Sequence, residues 1–446
     1  MAALLAGVTF PAGAVYAWVW IPAACVILLM ALLLRPRIRR DEHARAVDTL
    51  LILAALAVAL QFVPLPLIVV QRIDPHALDL RAALWIPVPP ALSISILPRD
   101  TLAALAIFTA AMFLFWITRE ICEMGGAGRI VRSLAIIGLV ASVAAIVQRS
   151  QSRELLYGYW RPLDAGARPY GPFVNRNHFA TWAIMVSPLV FGYLLARAPG
   201  SRGGRRISQR IASAAIQLGS IRAWLATSVC LLTLAVLISA SRSGLIGLMG
   251  AFAMSTWLSS RRHNPATRGW TIFQGLLLAV AVLSFANFNS LMSRFDETLI
   301  ARSPVRGRTA IWQDAVRLAS DFRWTGTGAG TFGAAITPYQ TTEPGYTIVQ
   351  AHNQYLQIAA EGGALIVVPA ALTFASFLLL FRRRLMEDEG PDYLLRAGAG
   401  AGMAGVMVQS FWETGLRMPA NAMLFGVLAA IAIHAPQHAS RHRSRL

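Results

Sequence analysis

The chain has 446 residues, of which 56% are hydrophobic and 14% charged, and its mean hydropathy is +0.55. Charged residues make up about a quarter of soluble domains, so this composition excludes an ordinary soluble protein and indicates an integral membrane protein. All 40 basic residues are arginine, and the net charge of +19 reflects where they lie in the loops rather than a nucleic-acid partner.

Apolar segments long enough to cross a bilayer follow one another along the chain. A spanning helix needs about 17 to 25 apolar residues, which predicts about eleven spans, within bounds of about ten and twelve. Residues 1–10 can add a partial helix, and the first segment lacks the basic start of a signal peptide. We therefore predict an all-α integral membrane protein in which residues 1–446 form one polytopic domain. The predicted spans are 12–34, 49–70, 101–118, 130–148, 179–196, 223–240, 243–259, 270–289, 364–381, 394–412 and 418–434.

Arginine is concentrated in alternate loops, which sets the predicted orientation. Positively charged loops remain in the cytoplasm, so the C-terminal tail is predicted inside and the N terminus outside. The basic segment 201–210 is interpreted as an anchor for anionic head groups. Two long loops then face outward, 149–178 and 290–363, and we expect the functional groups there. The arginine-rich loops are 35–48, 119–132, 197–222, 260–268, 382–396 and 439–446.

Polar residues gather where two spans begin on the outer side. The sequence NRNHFA places Arg176, Asn177 and His178 at the mouth of the fifth predicted span. Arg242, in SASRSG, interrupts two apolar runs in a turn too short to reach far into water. A charge at the hydrocarbon boundary is costly unless it snorkels or has a partner, so Arg242 is a candidate functional residue.

The large outer loop contains one clear amphipathic pattern. Apolar residues recur at three-to-four spacing from Thr309 to Phe322, which predicts a helix at the membrane interface. Pro304 and Gly307 precede it, so Arg306 and Arg308 stand at its N-terminal end, where backbone N–H groups and a guanidinium can bind phosphate. The alternative is that these arginines only solvate the interfacial helix.

Residues 326–333, GTGAGTFG, have the spacing of a dinucleotide-binding fingerprint. That fingerprint requires a preceding strand and a βαβ unit, and this segment instead leads into a turn outside the membrane. We interpret the glycines as letting the loop press against the bundle.

The sequence AHNQYLQIAAEGG, residues 351–363, is predicted to be helical from about His352 to Gly362 and Gly363. His352 would then share a helix face with Tyr355. A neutral imidazole is well matched to proton transfer near pH 7, and Asn353 and Glu361 can orient groups or accept a proton. A single histidine can equally be structural, but the second histidine at the NRNHFA segment suggests a shared site.

Four motifs in this order resemble the O-antigen ligase and O-antigen polymerase superfamily of bacterial surface-polysaccharide enzymes. They are GPFVNRNHFA, SASRSG, GRTAIWQDAVRLASDFRWTGTGAGTFG and HNQYLQIAAEGG. The resemblance covers roughly residues 149–381. The N-terminal region is shorter than in many members, which leaves open whether one helix of the usual set is missing.

This resemblance implies a metal-independent, inverting glycosyltransferase with a GT-C-like fold and no cofactor, in the bacterial inner membrane with its site facing the periplasm. The donor would be an undecaprenyl-diphosphate-linked glycan. Arg242 and Arg308 would hold the diphosphate, and His352 would act as the base. Arg176, Asn177, His178, Arg306, Asn353, Tyr355 and Glu361 would be supporting contacts.

The acceptor remains ambiguous within this superfamily. A lipid A core acceptor would make the protein a ligase, another lipid-linked glycan a polymerase, and a protein hydroxyl an oligosaccharyltransferase. Ligase is narrowly favoured, because no acceptor domain follows the last span. A transporter is the alternative from a different class, but it would carry ionisable residues within its spans.

Metal and redox roles have little support in the sequence. Cys25, Cys122 and Cys230 lie in spans or near the cytoplasmic side, where no pair can bridge outer loops. His434, His438 and His442 have helical spacing, but Pro436 and the basic tail favour a solvated or tag-like end over a zinc site.

Overall fold

The computed structural model describes residues 1–38, 41–151, 154–164, 167–197, 221–261, 308–341, 347–390 and 392–435. These residues are predominantly helical, with one antiparallel pair of short strands. The predicted span 270–289, the basic segment 201–210 and Arg306 lie outside the described residues.

The helices and strands are numbered in chain order. Those before residue 155 are α1 (Ala2–Thr9), α2 (Ala17–Leu34), α3 (Glu42–Leu60), β1 (Pro64–Pro66), α4 (Leu67–Ile73), α5 (Ala77–Ala83), β2 (Ala91–Ser93), α6 (Pro98–Glu123) and α7 (Ala127–Gln151). Those that follow are α8 (Arg176–Ala196), α9 (Ile221–Ile238), α10 (Arg242–Ser260), α11 (Arg308–Asp321), α12 (Phe332–Ala335), α13 (Gln354–Glu387), α14 (Asp392–Gln409) and α15 (Pro419–Ile433).

Seven of the described helices are long and apolar enough to cross a membrane, namely α2, α3, α6, α7, α8, α9 and α13. Helix α15 is apolar but shorter. The predicted all-α membrane class is therefore confirmed, and α1 supplies the extra N-terminal helix. The count of eleven spans stays a prediction, as does the GT-C-like arrangement.

One predicted span boundary is wrong and another is confirmed. The span 49–70 ends early, at Leu60, because Pro64 and Pro66 cannot donate helix hydrogen bonds. The buried side chain of Gln61 then anchors the turn by donating to the carbonyl oxygens of Thr325, at 2.9 Å, and Glu361, at 3.0 Å. The predicted interruption before the span that begins at residue 364 is confirmed, since α13 starts at Gln354 but is broken at Gly363, which has a non-helical backbone with φ +50°.

The almost completely buried helix α8 packs against α14 at the centre of the bundle. Small residues make this contact close. A Cβ atom added at Gly402 would lie 2.6 Å from the carbonyl oxygen of Met185, and one at Gly398 would lie 2.4 Å from that of Pro188. Glycine at these positions lets the two backbones approach, the usual way for helices to associate in a membrane.

A second apolar core lies at one end of the bundle and combines residues 65–97 with residues 311–360. The segment 71–99 belongs to this apolar layer and also buries Asp74 and Arg81. Burial raises the pKa of the Asp74 carboxyl above its usual value, although a hydrogen bond from Thr325 opposes that effect. This second apolar core covers the end of the bundle to which His352 belongs.

The glycine-rich segment fits between this layer and α13. Gly326, Gly328 and Gly330 all have positive φ, and a Cβ atom added at Gly326 would lie 2.2 Å from the backbone of Glu361. The interpretation of a loop pressed against the bundle is confirmed, since only glycine fits both the conformation and the space.

At the other end of α13 and α14, buried charges join the helices. The Nε atom of Arg396 donates to Asp388 at 2.8 Å, and its Nη1 atom lies 3.4 Å from Nδ1 of the fully buried His434. The prediction of a solvated histidine tail is therefore wrong for His434, because α15 carries it into the packed bundle. His438 and His442 lie outside the described residues.

Candidate functional site

The N termini of α8, α10, α11 and α13 meet the turn between α14 and α15, residues 410–418, and this meeting place is called the site end below. Helix α8 begins after Asn175, whose side chain caps it by accepting from the N–H of Asn177 at 2.8 Å. Ser241 caps α10 and donates through Oγ to Asn177 Oδ1 at 2.7 Å. The cap of α10 is thus bonded to Asn177 in the first turn of α8, which fixes the first turns of the two helices side by side.

Arg242 is the first residue of α10, directly after its cap, and its side chain is exposed. The sequence analysis expected a charge at the boundary of the bundle. The charge of Arg176 is repelled by three nearby arginines, namely Arg149, Arg168 and Arg242. These four arginines give the rim beside α10 a strongly positive potential, suited to an anionic ligand.

Arg308 is the first described residue of α11 and comes from the amphipathic helix predicted over 309–322. Its Nη1 atom donates to the carbonyl oxygen of Trp412 at 2.9 Å, so its guanidinium lies against the turn between α14 and α15. Trp312, one turn along α11, donates to the carbonyl oxygen of Ala351 at 3.0 Å. Helix α11 therefore braces both the turn and the segment that carries His352.

His352 lies before α13 rather than within it, which corrects the predicted helix start. Its φ is +50°, and Asn353 caps the helix by accepting from the N–H groups of Tyr355 and Leu356. The predicted helix face shared by His352 and Tyr355 is wrong for that reason. The left-handed backbone turns the imidazole away from the helix axis and toward the turn 410–418.

Glu413 is the acidic residue nearest to His352 among the described residues, and the sequence analysis did not single it out. Its Oε1 atom lies 3.9 Å from Nδ1 of His352, and the carboxylate is almost completely buried. Oε2 accepts a short hydrogen bond from Asn177 Nδ2, and Oε1 accepts from the N–H of Thr414 at 3.1 Å. This carboxylate thereby links the His352 segment to Asn177 in the first turn of α8 and, through Asn177, to the cap of α10.

The charge of Glu413 is maintained despite its burial. Burial alone would raise the pKa of this carboxyl, but His352, His178 and the Thr414 N–H hold it below the usual value. An ionised carboxylate at this distance favours the ring orientation that directs Nδ1 toward it. His178 lies deeper on the same side and is almost completely buried, and neither of its ring nitrogen atoms has a hydrogen-bond partner among the described residues.

Two supporting residues have structural partners. Glu361 accepts from Arg417 Nη1 at 2.7 Å and from the N–H groups of Gly330 and Phe332 at 3.0 and 3.2 Å. It therefore holds the glycine-rich segment in place rather than presenting a free base. The hydroxyl of Tyr355 donates to the carbonyl oxygen of Met407 at 2.8 Å, which ties α13 to α14.

These contacts show which predicted residues come together. Arg242 follows the cap that bonds Asn177, Asn177 bonds Glu413, and Glu413 approaches His352. Arg308 reaches the same turn through the adjacent Trp412. The residues that the sequence missed, Glu413 and Arg417, lie in SFWETGLR, a short polar interruption between two apolar runs. An acid at a span boundary was the available signal for Glu413.

The described residues contain no group of three or more His, Cys, Asp or Glu side chains able to hold a metal ion. The site end instead contains arginine side chains and an imidazole beside a buried carboxylate. Fold and site together define a multi-pass helical membrane protein with a polar, cation-rich centre at one end of its bundle.

One model of a known protein family matches part of the chain. Residues 227–371 match the family model described as O-antigen ligase, a stretch that contains Arg242, Arg308 and His352. The match supports the O-antigen ligase superfamily and confirms the resemblance that the motifs indicated. The family indicates glycan transfer of the ligase or polymerase type. No curated protein matches the chain.

Proposed function

We propose that this protein transfers a glycan from an undecaprenyl-diphosphate donor to an acceptor hydroxyl on the periplasmic face of the bacterial inner membrane. The observation that carries the proposal is the approach of His352 to the ionised, buried Glu413, with Arg242 and Arg308 attached to the same assembly of helix caps and turn. Lipid A core is the favoured acceptor.

The bond changes follow from the groups at the site end. His352 takes the proton of the acceptor hydroxyl, whose oxygen forms a bond to the anomeric carbon. The bond from that carbon to the diphosphate oxygen breaks, and the electron pair leaves with the diphosphate. A single displacement of this kind inverts the anomeric configuration.

Each side chain contributes where charge develops. Arg242 and Arg308 stabilise the departing diphosphate, because guanidinium groups match phosphate oxygens with two parallel hydrogen bonds. Glu413 orients His352 and stabilises the imidazolium that forms. The cationic pair supplies the leaving-group stabilisation that many soluble transferases obtain from a metal ion, so the proposal requires none.

The test is complementation of a strain that lacks the gene. We expect His352→Ala, Arg242→Ala and Arg308→Ala each to abolish glycan transfer, measured by polysaccharide gels, while immunoblots show normal amounts of protein in the membrane. Arg161→Ala is the matched control, because Arg161 is exposed and pairs only weakly with Glu154. Normal transfer by all three site variants would overturn the proposal.

The deletion strain itself separates the alternatives. Loss of polymer on lipid A with long lipid-linked chains accumulating identifies a ligase, whereas products with a single repeat identify a polymerase. Loss of glycan from a protein identifies an oligosaccharyltransferase. Unchanged glycans with altered solute uptake would identify a transporter and reject glycan transfer.

A further inference from the structure

A cavity of about 660 Å³ lies between α3, α6, α13 and α15, away from the arginine rim. Its wall is almost entirely apolar, with Phe108, Phe374 and Phe425 among the largest side chains. Among its described wall residues, the charged groups lie at the site end only, where Asp100, Glu361 and Arg417 form its rim together with Gly330.

The cavity is long as well as apolar. Its wall follows α6 from Asp100 to Phe115, which is about 22 Å at about 1.5 Å per residue. Most of the thickness of a hydrocarbon layer, about 30 Å, is therefore covered. An apolar wall favours apolar ligands, and the length of this cavity fits an extended hydrocarbon chain better than a compact solute.

The turn 410–418 separates this cavity from the cations proposed to bind diphosphate. On one side, Trp412 accepts from Arg308 and Glu413 accepts from Asn177. On the other side, Leu416 and Arg417 line the cavity. Within the described part of the chain, no wall residue of the cavity comes from α8, α10 or α11, the helices that begin at Arg176, Arg242 and Arg308.

A transferase that joins two membrane-anchored substrates must hold two lipid anchors on different sides of its reacting groups. The diphosphate of the donor belongs on the side of the arginines, where positive charge is concentrated. The cavity on the other side carries one cation, Arg417, paired with Glu361, and its rim is not net positive. It is therefore poorly matched to a diphosphate and better matched to an amphiphile with hydroxyl groups at its head.

We propose that this cavity binds a hydrocarbon chain of a lipid-anchored acceptor and thereby places the acceptor hydroxyl beside His352. Arg417, which is one-quarter exposed while paired with Glu361, is the head-group contact at the rim. The proposal rests on glycan transfer as the function of the protein, and it makes the acceptor an acylated molecule rather than a protein hydroxyl.

The kinetic test fills the cavity with single substitutions. Ala104→Phe on α6 and Ala370→Phe on α13 place a ring in the cavity. Ala106→Phe and Ala371→Phe are matched controls on the same helices, at positions that do not line it. Purified protein in lipid nanodiscs is assayed with lipid A carrying its core sugars and, separately, with the same core oligosaccharide released from the lipid.

We expect the two filling variants to raise the KM for the intact lipid acceptor about tenfold or more, which corresponds to about 1.4 kcal/mol of lost binding. Activity with the released oligosaccharide, and the KM for the donor, should match those of the controls. Equal losses of activity with both acceptors would overturn the assignment. A raised KM for the donor would also overturn it, because the donor tail would then occupy the cavity.

A binding measurement separates this inference from the proposed function. Native mass spectrometry of detergent-purified protein incubated with lipid A should show one bound copy on the wild type and controls, lost in the filling variants. The inference would be rejected if a polyprenyl diphosphate or a phospholipid occupied the cavity in place of lipid A. It would also be rejected if the filling variants retained bound lipid A. Lipid A bound in the cavity of a protein without transfer activity would reject the proposed function and leave the binding site standing.

Discussion

The carboxylate of Glu413 is enclosed by protein yet stays ionised, because three hydrogen-bonding or positively polarised neighbours offset the cost of burial. Asn177 and Thr414 donate to it, and His352 approaches its Oε1 atom. Removing this carboxylate would leave its buried hydrogen-bond donors unsatisfied, which costs about 1–3 kcal/mol for each buried polar group. The single residue Glu413 therefore affects both the stability of the site end and the orientation of the base.

The first residue-scale prediction concerns Glu413→Gln, which keeps the shape and removes the charge. We expect kcat to fall about 10- to 100-fold with little change in the KM for the donor, since support for a catalytic imidazole is lost but the arginines remain. Glu154→Gln is the control, because Glu154 is largely exposed. A Glu413→Gln variant with wild-type kcat would show that the carboxylate does not assist His352.

The pH dependence of stability is a second prediction for this residue. The pKa of Glu413 is lower in the folded protein than its usual value of about 4.3, so its stabilisation is complete above that value and is lost as the pH falls through the folded pKa. Thermal unfolding followed from pH 6 to pH 3 should therefore show a smaller decrease in Tm for Glu413→Gln than for the wild type. Equal decreases would contradict this assignment.

At the scale of elements, α13 is two helical segments joined at Gly363. That residue has φ +50° and ψ −158°, and the first segment carries the cap beside His352 while the second crosses the bundle. A Cβ atom at Gly363 would lie 2.7 Å from backbone atoms of Trp324, Thr325 and Gly326. The break in α13 is thus the place where the glycine-rich segment docks, which positions the helix mouth that holds Asn353.

Gly363→Ala tests this junction. Both the positive φ and the backbone clash oppose a side chain there, and we expect the free energy of unfolding to fall by about 1–3 kcal/mol, measured as a lower Tm in detergent. Gly7→Ala is the control, because a Cβ atom at Gly7 meets nothing within 4 Å. An unchanged Tm for Gly363→Ala would mean that the junction relaxes without cost.

For the whole molecule, the arginine distribution predicts which end of the bundle faces the periplasm. The site end joins the second apolar core, which contains Phe322 and beside which Asp74 is buried, whereas the opposite end joins α13 to α14 through Arg396 and Asp388. The positive-inside rule assigns the second of these ends to the cytoplasm. The site end would then face the periplasm.

Cysteine labelling tests this orientation. In a background without native cysteines, Trp85→Cys and Tyr159→Cys occupy highly exposed positions near the site end, and Glu389→Cys is exposed beyond α13 at the other end. We expect an impermeant maleimide added to cells with a permeable outer membrane to label the first two. Glu389→Cys should react only after the inner membrane is opened. The reverse pattern would invert the topology and place the site in the cytoplasm.

Composition and apolar run length were enough to predict the helical membrane class, and the order of motifs was enough for the superfamily. Local patterns also located α11 and both polar helix mouths to within a few residues. They failed at the C-terminal end of the span 49–70 and at His352, where the backbone leaves the helix. Pro64 and Pro66 end the first of these helices, and Gln61 then bonds to the distant Glu361, whereas the conformation at His352 depends on its distant neighbour, the turn 410–418.

The sequence by itself determined what must be buried in lipid, because hydrocarbon admits only helices whose backbone groups are satisfied internally and whose side chains are apolar. It also determined where charge could accumulate, at the ends of those helices. Only the tertiary structure decided that Glu413, 61 residues beyond His352 in the numbering, is its neighbour. The apolar cavity likewise exists only once α3, α6, α13 and α15 pack together, because it is a space between helices that no single helix contains.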